Sequence, residues 1–243
     1  TYRYLRIYGV SRTSVYGYSI WEANVYAFTS GDTQPPEPPP EITWPVINSA
    51  VNSDVDQEIA LILNQMTLDE KVGQMIMAEI HAVSPNDLRN YHLGAVLNAG
   101  GSWPNGNKSS SVADWVSLAD SFYLASIDPA NNRIAVPILW GTDAVHGHNN
   151  VMGATIFPHN IGLGAMNNPS LIKQIGQATA LEVAATGIDW VFAPTLAVVR
   201  DDRWGRTYEG YSEDPEIVNQ YAGEMVEGLQ GETSGGDLFN DAH

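Results

Sequence analysis

The sequence contains no cysteine, so it forms no disulfide bond and supplies no thiolate for catalysis or metal binding. This absence leaves the cellular compartment open, because a cysteine-free chain suits an oxidising space as well as a reducing one. Basic residues are also scarce: 11 Lys and Arg stand against 28 Asp and Glu, which gives a formal net charge of −17. A surface this acidic repels phosphate backbones, so we expect no nucleic-acid partner.

Long apolar runs and nucleotide-binding motifs are missing as well. No run approaches the roughly 20 apolar residues that span a bilayer, so we expect no membrane partner. The glycine-containing stretches "GLGAMNNP" and "NAGGSWPNG" match neither a G-x-G-x-x-G fingerprint nor a P-loop, and their glycines are better explained as turn residues. The 243 residues suffice for one or two domains. They begin at Thr1 in mid-pattern, and we therefore expect a piece of a longer protein.

Two segments precede the main domain. Residues 1–29 alternate Tyr, Val and Ile with polar residues, which predicts two strands. Because two strands cannot bury a core alone, we interpret them as the end of a β-sandwich, with a stray hairpin as the alternative. Residues 30–45 hold six prolines in sixteen positions and predict an extended, semi-rigid linker.

Residues 46–243 alternate between strand and helix patterns. The predicted strands cover 93–101, 134–143 and 188–198, and the predicted helices cover 54–66, 67–80, 111–127, 168–187 and 213–231. Thr67 with Glu70 predicts a capping box, and Asn168 with Pro169 predicts a helix start. About three strand–helix units of this kind predict an α/β fold with a parallel sheet. They fit part of a (β/α)₈ barrel, which needs eight units, or an open doubly wound sheet.

Three predicted strands end in polar, glycine-containing loops: "LNAGGSWPNGN", "GTDAVHGHNN" and "VVRDDRWGRTYEGYSED". Parallel strands place such loops on one common surface, where α/β proteins bind their ligands. In the second loop, Asp143, His146 and His148 are possible metal ligands, yet further acidic ligands are lacking. The alternative is a structural role, in which the side chains of four residues hydrogen-bond the loop backbone and hold Asp143 in place: His146, His148, Asn149 and Asn150.

Carbohydrate is the other ligand class that the loops favour. Sugar sites combine aromatic faces with carboxylates and arginines, and the loops supply that mix in Asp143, Arg206, Trp103, Trp140 and Trp204. Trp140 closes an apolar strand and is better explained as core. Arg203 and Arg206 also have a structural alternative, since both can pair with nearby acids such as Asp201 or Glu209.

Two long motifs carry a resemblance to a known family. "GTDAVHGHNNVMGATIFPHNIGLGA" and "FAPTLAVVRDDRWGRTYEGYSEDPEIV" resemble glycoside hydrolase family 3, and "MTLDEKVGQMIMAEI" is similar to the helix that opens that family's barrel. The resemblance spans residues 44 to 243 and is nearest to the exo-acting β-glucosidases and β-1,3/1,4-glucan exohydrolases. It implies that residues 46–243 form about half of a TIM barrel. Residues 1–28 resemble the final strands of a discoidin-type (F5/8 type C) carbohydrate-binding module.

The resemblance also implies site residues. Asp143 matches the acid that hydrogen-bonds hydroxyls of the non-reducing-end glucosyl unit, and Arg206 matches a basic residue that reaches the same unit. The family's retaining chemistry uses a carboxylate nucleophile and a carboxyl acid/base about 5–5.5 Å apart. Both match positions beyond residue 243, so we expect no catalytic residue in this chain and expect the chain alone to be inactive. The rest of its own polypeptide is needed to complete the barrel.

The implied activity is release of glucose from β-glucans or β-gluco-oligosaccharides, without a cofactor. The predicted end of a carbohydrate-binding module and the Pro-rich linker favour a secreted or periplasmic protein. A non-catalytic carbohydrate-binding protein and metal-dependent hydrolysis around Asp143, His146 and His148 remain alternatives. We prefer a glucosidase to the family's N-acetylhexosaminidase branch, whose characteristic histidine loop is not seen in these 243 residues.

Overall fold

The computed structural model describes residues 53–129 and 134–231, with side chains from residue 55 onward. The predicted strands of residues 1–29 and the linker of residues 30–45 lie outside these ranges, so both stay predictions. Within the described ranges, no helix has the length and apolar character needed to cross a bilayer.

Helices and strands alternate along the described chain. The helices are α1 (Ser53–Gln65), α2 (Leu68–Gln74), α3 (Pro85–Tyr91), α4 (Val112–Ser126), α5 (Asn160–Met166), α6 (Pro169–Ala184) and α7 (Pro215–Gln230). The strands are β1 (Met77–Glu79), β2 (Ala95–Asn98), β3 (Leu139–Thr142) and β4 (Trp190–Val191). Short 3₁₀ turns at Pro104–Gly106 and Thr207–Glu209 follow β2 and β4.

The strands form one parallel sheet in the order β1–β2–β3–β4. Strands β2 and β3 pair from Ala95–Leu139 to Asn98–Thr142, so they end level with each other. Each parallel connection contains at least one helix: α3 lies between β1 and β2, α4 between β2 and β3, and α5 and α6 between β3 and β4. The α/β class is therefore confirmed, and the described sheet has half the strands of a (β/α)₈ barrel.

The sequence-based count of three strand–helix units is wrong, because the structure has a fourth strand, β1. The helix predicted over residues 67–80 ends at Gln74, and Met77–Glu79 is extended. Gly73 lets the end of α2 lie close to the end of α3, because a Cβ at residue 73 would lie 2.1 Å from the carbonyl oxygen of Tyr91. Three residues are too few for periodicity to distinguish a strand from the end of a helix.

Side-chain caps fix the starts of several helices. At α2, the Thr67 Oγ1 accepts from the Glu70 backbone N–H at 3.3 Å while the Glu70 carboxylate accepts from the Thr67 backbone N–H at 2.8 Å. This reciprocal pair is the predicted capping box. The predicted cap at Asn168 is also present, since its Oδ1 accepts from the Leu171 backbone N–H at 3.3 Å. Local sequence therefore determines these helix starts, each cap contributing about 1 kcal/mol.

The larger apolar core lies between the sheet and α4. Trp115 and Phe122 of α4 are almost fully buried, and their rings lie 5.9 Å and 5.6 Å from the ring of Trp140 on β3. The Trp140 Nε1–H donates to Asn98 Oδ1 at 2.9 Å, which confirms the core interpretation of this tryptophan. A second cluster joins α5, α6 and α7 through Leu163, Ile172, Ile175, Tyr221 and Met225. Burying each large apolar side chain contributes roughly 1.5–3 kcal/mol.

Helices α6 and α7 approach each other so closely that glycine is required at the contact. A Cβ on Gly228 would lie 2.4 Å from the Lys173 carbonyl oxygen and 3.0 Å from the Cα of Gly176. Both close contacts are to backbone atoms, which cannot rotate away. Gly223, on the same helix α7, faces open space instead.

We predict that Gly228→Ala destabilises the fold by about 2 kcal/mol, because the added methyl group forces the two helices apart. Gly223→Ala is the matched control, and it should be neutral or stabilising by up to about 1 kcal/mol, since alanine favours a helix. Thermal and denaturant unfolding of both variants measure the difference. Equal stability of the two variants would contradict the close approach.

Candidate functional site

The polar loops leave the sheet at one edge. Strands β2, β3 and β4 end at Asn98, Thr142 and Val191, and all pair in parallel. The loops that follow therefore start from the carboxyl ends of neighbouring strands, as the sequence predicts. This edge carries both predicted site residues, Asp143 and Arg206.

Asp143 is the first residue after β3, and its side chain is exposed at this edge. Partial burial against the protein raises the pKa of its carboxyl group above the usual value, the positive charge of Arg206 lowers the pKa, and the negative charge of Glu209 raises it. The net direction of the pKa shift is upward, so the protein favours the ionised carboxylate less than water does. Asp143 and Arg206 are thus close enough to interact electrostatically.

Arg206 lies just before the 3₁₀ turn Thr207–Glu209 and makes a two-point ion pair with Glu209. Its Nε–H donates to Glu209 Oε1 at 2.8 Å and its Nη2–H to Glu209 Oε2 at 2.5 Å. The Arg206 side chain is 62% exposed, whereas that of Glu209 is 13% exposed. The pairing lowers the pKa of Glu209 and raises that of Arg206. The guanidinium plane is therefore fixed while its outer face stays accessible.

A stack of aromatic rings lies beside this ion pair. The His146 and His159 rings are 4.0 Å apart, and the edge of Tyr208 meets His159 at 4.7 Å. The pKa of His159 is lowered, chiefly by burial and then by the neighbouring His146, while Glu209 opposes the shift. Sequence reasoning missed His159 and Tyr208 as neighbours of the site. The three-residue spacing of Arg206 and Glu209 signals their pairing, whereas nothing local places His159 there.

The loop that follows Asp143 is held by its own polar side chains. Asn150 Nδ2 donates to Thr142 Oγ1 and to the Asp143 carbonyl oxygen, each at 3.3 Å. His146 Nδ1 lies 2.9 Å from the Phe157 carbonyl oxygen and donates to it. These contacts match the structural role considered in the sequence analysis, in which imidazoles and amides support the loop that carries Asp143.

His148 is completely buried beneath the loop. Its Nε2 lies 3.0 Å from Thr186 Oγ1, and its ring centroid lies 6.0 Å from that of Trp115. Burial lowers the pKa of His148 to about 4, against the opposing negative charge of Glu182. The ring is therefore neutral near pH 7 and faces the protein interior.

The remaining candidates differ in exposure. Trp103 is half-buried against the larger core, and Trp204 is 39% exposed. Arg203 is 89% exposed and forms a two-point pair with Asp201, the structural alternative that the sequence left open. Among the residues that the structure describes, no three His, Asp or Glu side chains are grouped to hold a metal ion.

A sequence profile of the glycosyl hydrolase family 3 N terminal domain matches residues 67–240. The chain belongs to glycosyl hydrolase family 3. Its described strands and helices are the N-terminal part of a (β/α)₈ TIM barrel. The match covers none of residues 1–29, so the discoidin-type module remains a prediction.

Several proteins similar to this chain hydrolyse glycosides, as their names state. The lysosomal beta glucosidase of Dictyostelium discoideum is 32% identical over 184 residues, which cover 70% of this chain and 22% of that protein. The periplasmic beta-glucosidase of Salmonella typhimurium is 27% identical over 183 residues, which cover 73% of this chain and 21% of that protein. The crystal structure of an exo-1,3/1,4-beta-glucanase from a Pseudoalteromonas species is 57% identical, with a TM-score of 0.72, and covers 75% of this chain and 23% of that one.

This chain thus spans between 21% and 23% of the length of these three relatives. The family and the barrel follow from the comparisons.

We predict that His148 makes the fold acid-sensitive. Because its pKa is about 4 in the folded state and about 6.5 when unfolded, its contribution to stability is complete above pH 6.5 and is lost as the pH falls towards 4. This difference between the folded and unfolded pKa values corresponds to about 3 kcal/mol of folding stability. His148→Gln keeps a side-chain N–H donor but does not titrate, so this variant should lose less stability between pH 7 and pH 4.5.

The measurement is denaturant unfolding of both proteins at the two pH values. Carboxylates other than Glu182, whose charge acts on His148, titrate alike in both proteins, so most of the carboxylate contribution cancels in the comparison. Parallel pH profiles would show that His148 is not neutral in the folded state.

Proposed function

We propose that the complete polypeptide containing this chain is a retaining, exo-acting β-glucosidase or glucan exohydrolase. It releases glucose from the non-reducing ends of β-glucans or of cello- and laminari-oligosaccharides. The observation that carries the proposal is that Asp143 and Arg206 lie near enough to each other, at the carboxyl ends of the strands of a family 3 barrel, for their charges to interact. The named activities of the relatives, β-glucosidases and an exo-1,3/1,4-β-glucanase, support the same substrate class.

The two side chains complement a pair of sugar hydroxyl groups. The Asp143 carboxylate accepts hydrogen bonds from hydroxyls, and the Nη1 group of Arg206, which takes no part in the two bonds to Glu209, donates to hydroxyl oxygens. Hydroxyl donors of a bound sugar would add hydrogen bonds to the exposed Asp143 carboxylate. Binding a polyol therefore stabilises the ionised form of Asp143.

The catalytic pair belongs elsewhere in the polypeptide under this proposal. Asp143 and Glu209 bind and position, whereas the nucleophile and the acid/base come from beyond residue 243, so the 243 residues alone are inactive. The rest of the polypeptide completes the barrel, and the protein is secreted or periplasmic. A carbohydrate-binding protein without activity is the competing function.

The deciding experiment is hydrolysis of an aryl β-glucoside and of laminaribiose by the complete polypeptide, with NMR detection of the first anomer released. Release of β-glucose supports the retaining mechanism. Sugar binding without hydrolysis would replace the proposal with the binding-protein alternative.

Removing the Asp143 carboxylate should weaken the enzyme's binding of the transition state. In the complete polypeptide, Asp143→Ala should lower kcat/KM for an aryl β-glucoside by roughly a hundredfold, about 3 kcal/mol, because contacts to hydroxyls strengthen as the reacting sugar distorts. Asp120→Ala removes an exposed carboxylate from α4 and is the control. A change of threefold or less for Asp143→Ala would remove this residue from the sugar site.

Arginine geometry can be tested separately from charge. Arg206→Lys keeps the positive charge but loses the planar fork that both pairs with Glu209 and reaches the sugar, so kcat/KM should fall about tenfold or more. Arg203→Lys makes the same exchange in the neighbouring exposed pair and should change kcat/KM by less than threefold. Equal kinetics of the two lysine variants would assign Arg206 a purely structural role.

A further inference from the structure

We propose that His148 and Thr186 form a positioning pair that fastens the Asp143 loop to the C-terminal end of α6, and that sugar binding at Asp143 depends on this attachment. The inference rests on the proposed function, because it assigns Asp143 to the sugar site. Neither member of the pair touches the sugar. Their effect passes through the backbone of residues 143–150.

The hydrogen-bond directions in the pair are determined by the number of hydrogens available. The Thr186 hydroxyl group donates its one hydrogen to the Val183 carbonyl oxygen at 2.6 Å. It must therefore accept at its contact with His148, where the two atoms are 3.0 Å apart. His148 consequently carries its proton on Nε2, and the bond runs from the loop to the helix end.

Thr186 is a firm attachment point. It is fully buried two residues after α6 ends, and its backbone N–H donates to the Val183 carbonyl oxygen at 2.9 Å. Gly187 follows with a φ of 75°, and a Cβ there would lie 2.8 Å from the Cβ of Ala119 on α4. The hydroxyl group of Thr186 is therefore held by α6, and the residue that follows it packs closely against α4.

A second contact ties the same loop region to the same helix. The Glu182 carboxylate on α6 accepts from the Thr155 backbone N–H at 3.0 Å and from its hydroxyl group at 2.8 Å. The two arms of the loop also touch each other, since the Phe157 backbone N–H donates to the His146 carbonyl oxygen at 2.8 Å. Residues 143–159 thus form one unit that rests on the C-terminal half of α6.

The route from the pair to the sugar site is short. His148 is two residues before Asn150, whose side-chain amide donates to the Asp143 carbonyl oxygen at 3.3 Å. In the described part of the chain, the other ring nitrogen of His148, Nδ1, has no hydrogen-bond partner. Loss of Thr186 as acceptor would therefore leave both ring nitrogens buried and unpaired, and the loop would have to move to satisfy them.

The test uses three variants of the complete polypeptide. Thr186→Val keeps the shape but removes the hydroxyl group, and Thr186→Ser keeps the hydroxyl group. Thr179→Val is the matched control, because Thr179 is also buried on α6 but bonds only within its own helix, donating to the Ile175 carbonyl oxygen at 2.8 Å. Two quantities are measured below the melting temperature of every variant: kcat/KM for an aryl β-glucoside, and amide hydrogen exchange in residues 143–150.

Thr186→Val should lower kcat/KM about tenfold and speed exchange in residues 143–150 by a similar factor. Thr186→Ser should restore both quantities to within threefold of wild type, and Thr179→Val should leave both unchanged. Wild-type kcat/KM and exchange in Thr186→Val, with only a lower melting temperature, would overturn the inference. Accelerated exchange with unchanged kcat/KM would also overturn it, since the loop would then be free to move without consequence for the sugar.

Failure of the proposed function gives a different result. If the wild-type polypeptide hydrolyses no β-glucoside, the proposed function fails irrespective of the variants. Hydrogen exchange and glucose binding by calorimetry then decide the positioning role. Slower exchange and tighter binding in Thr186→Ser than in Thr186→Val support the pair, and identical values overturn it.

Discussion

The level, parallel pairing of β2 and β3 determines where the site lies. Asn98 pairs with Thr142 at the last position of both strands, and the Trp140 Nε1–H donates to the Asn98 side chain. Because the side-chain period along a strand is two, a slip of one residue would move Trp140 out of the core between the sheet and α4. The same slip would turn Asp143 away from its present position. Core packing and site geometry therefore depend on one register.

The site carries an electrostatic cost that its proposed ligand offsets. Asp143 and Glu209 are like charges near each other, and Arg206 is committed to Glu209 by two hydrogen bonds. Asp143 is left with an upward pKa shift, meaning that its ionised form is less well stabilised than in water. Under the proposed function, hydrogen bonds from a bound sugar would stabilise this ionised form.

Sequence reasoning succeeded where the signal is local and failed where it is not. The Thr67–Glu70 capping box and the helix start at Asn168 were predictable, because each involves residues three apart. Strand β1 was missed because three residues carry no period, and the seven-residue helices α3 and α5 were missed as well. At the site, Asp143 and Arg206 were chosen from their loops and from the family resemblance, and their roles stay predictions. The contact between His148 and Thr186 joins residues 38 positions apart, so no local pattern predicts it.

The exposed apolar side chains near β4 are best understood through the architecture of the barrel. Within the described residues, β4 has only β3 as a neighbour, and Trp190 on β4 is 42% exposed. Leu181 on α6 is 73% exposed, beside a groove that α6, β4 and the end of α7 line together. A closed barrel leaves no strand edge, so further strands would pair with β4 and their helices would cover this groove. The expectation that more of the polypeptide completes the barrel accounts for these side chains, and a separate docking surface is not needed to explain them.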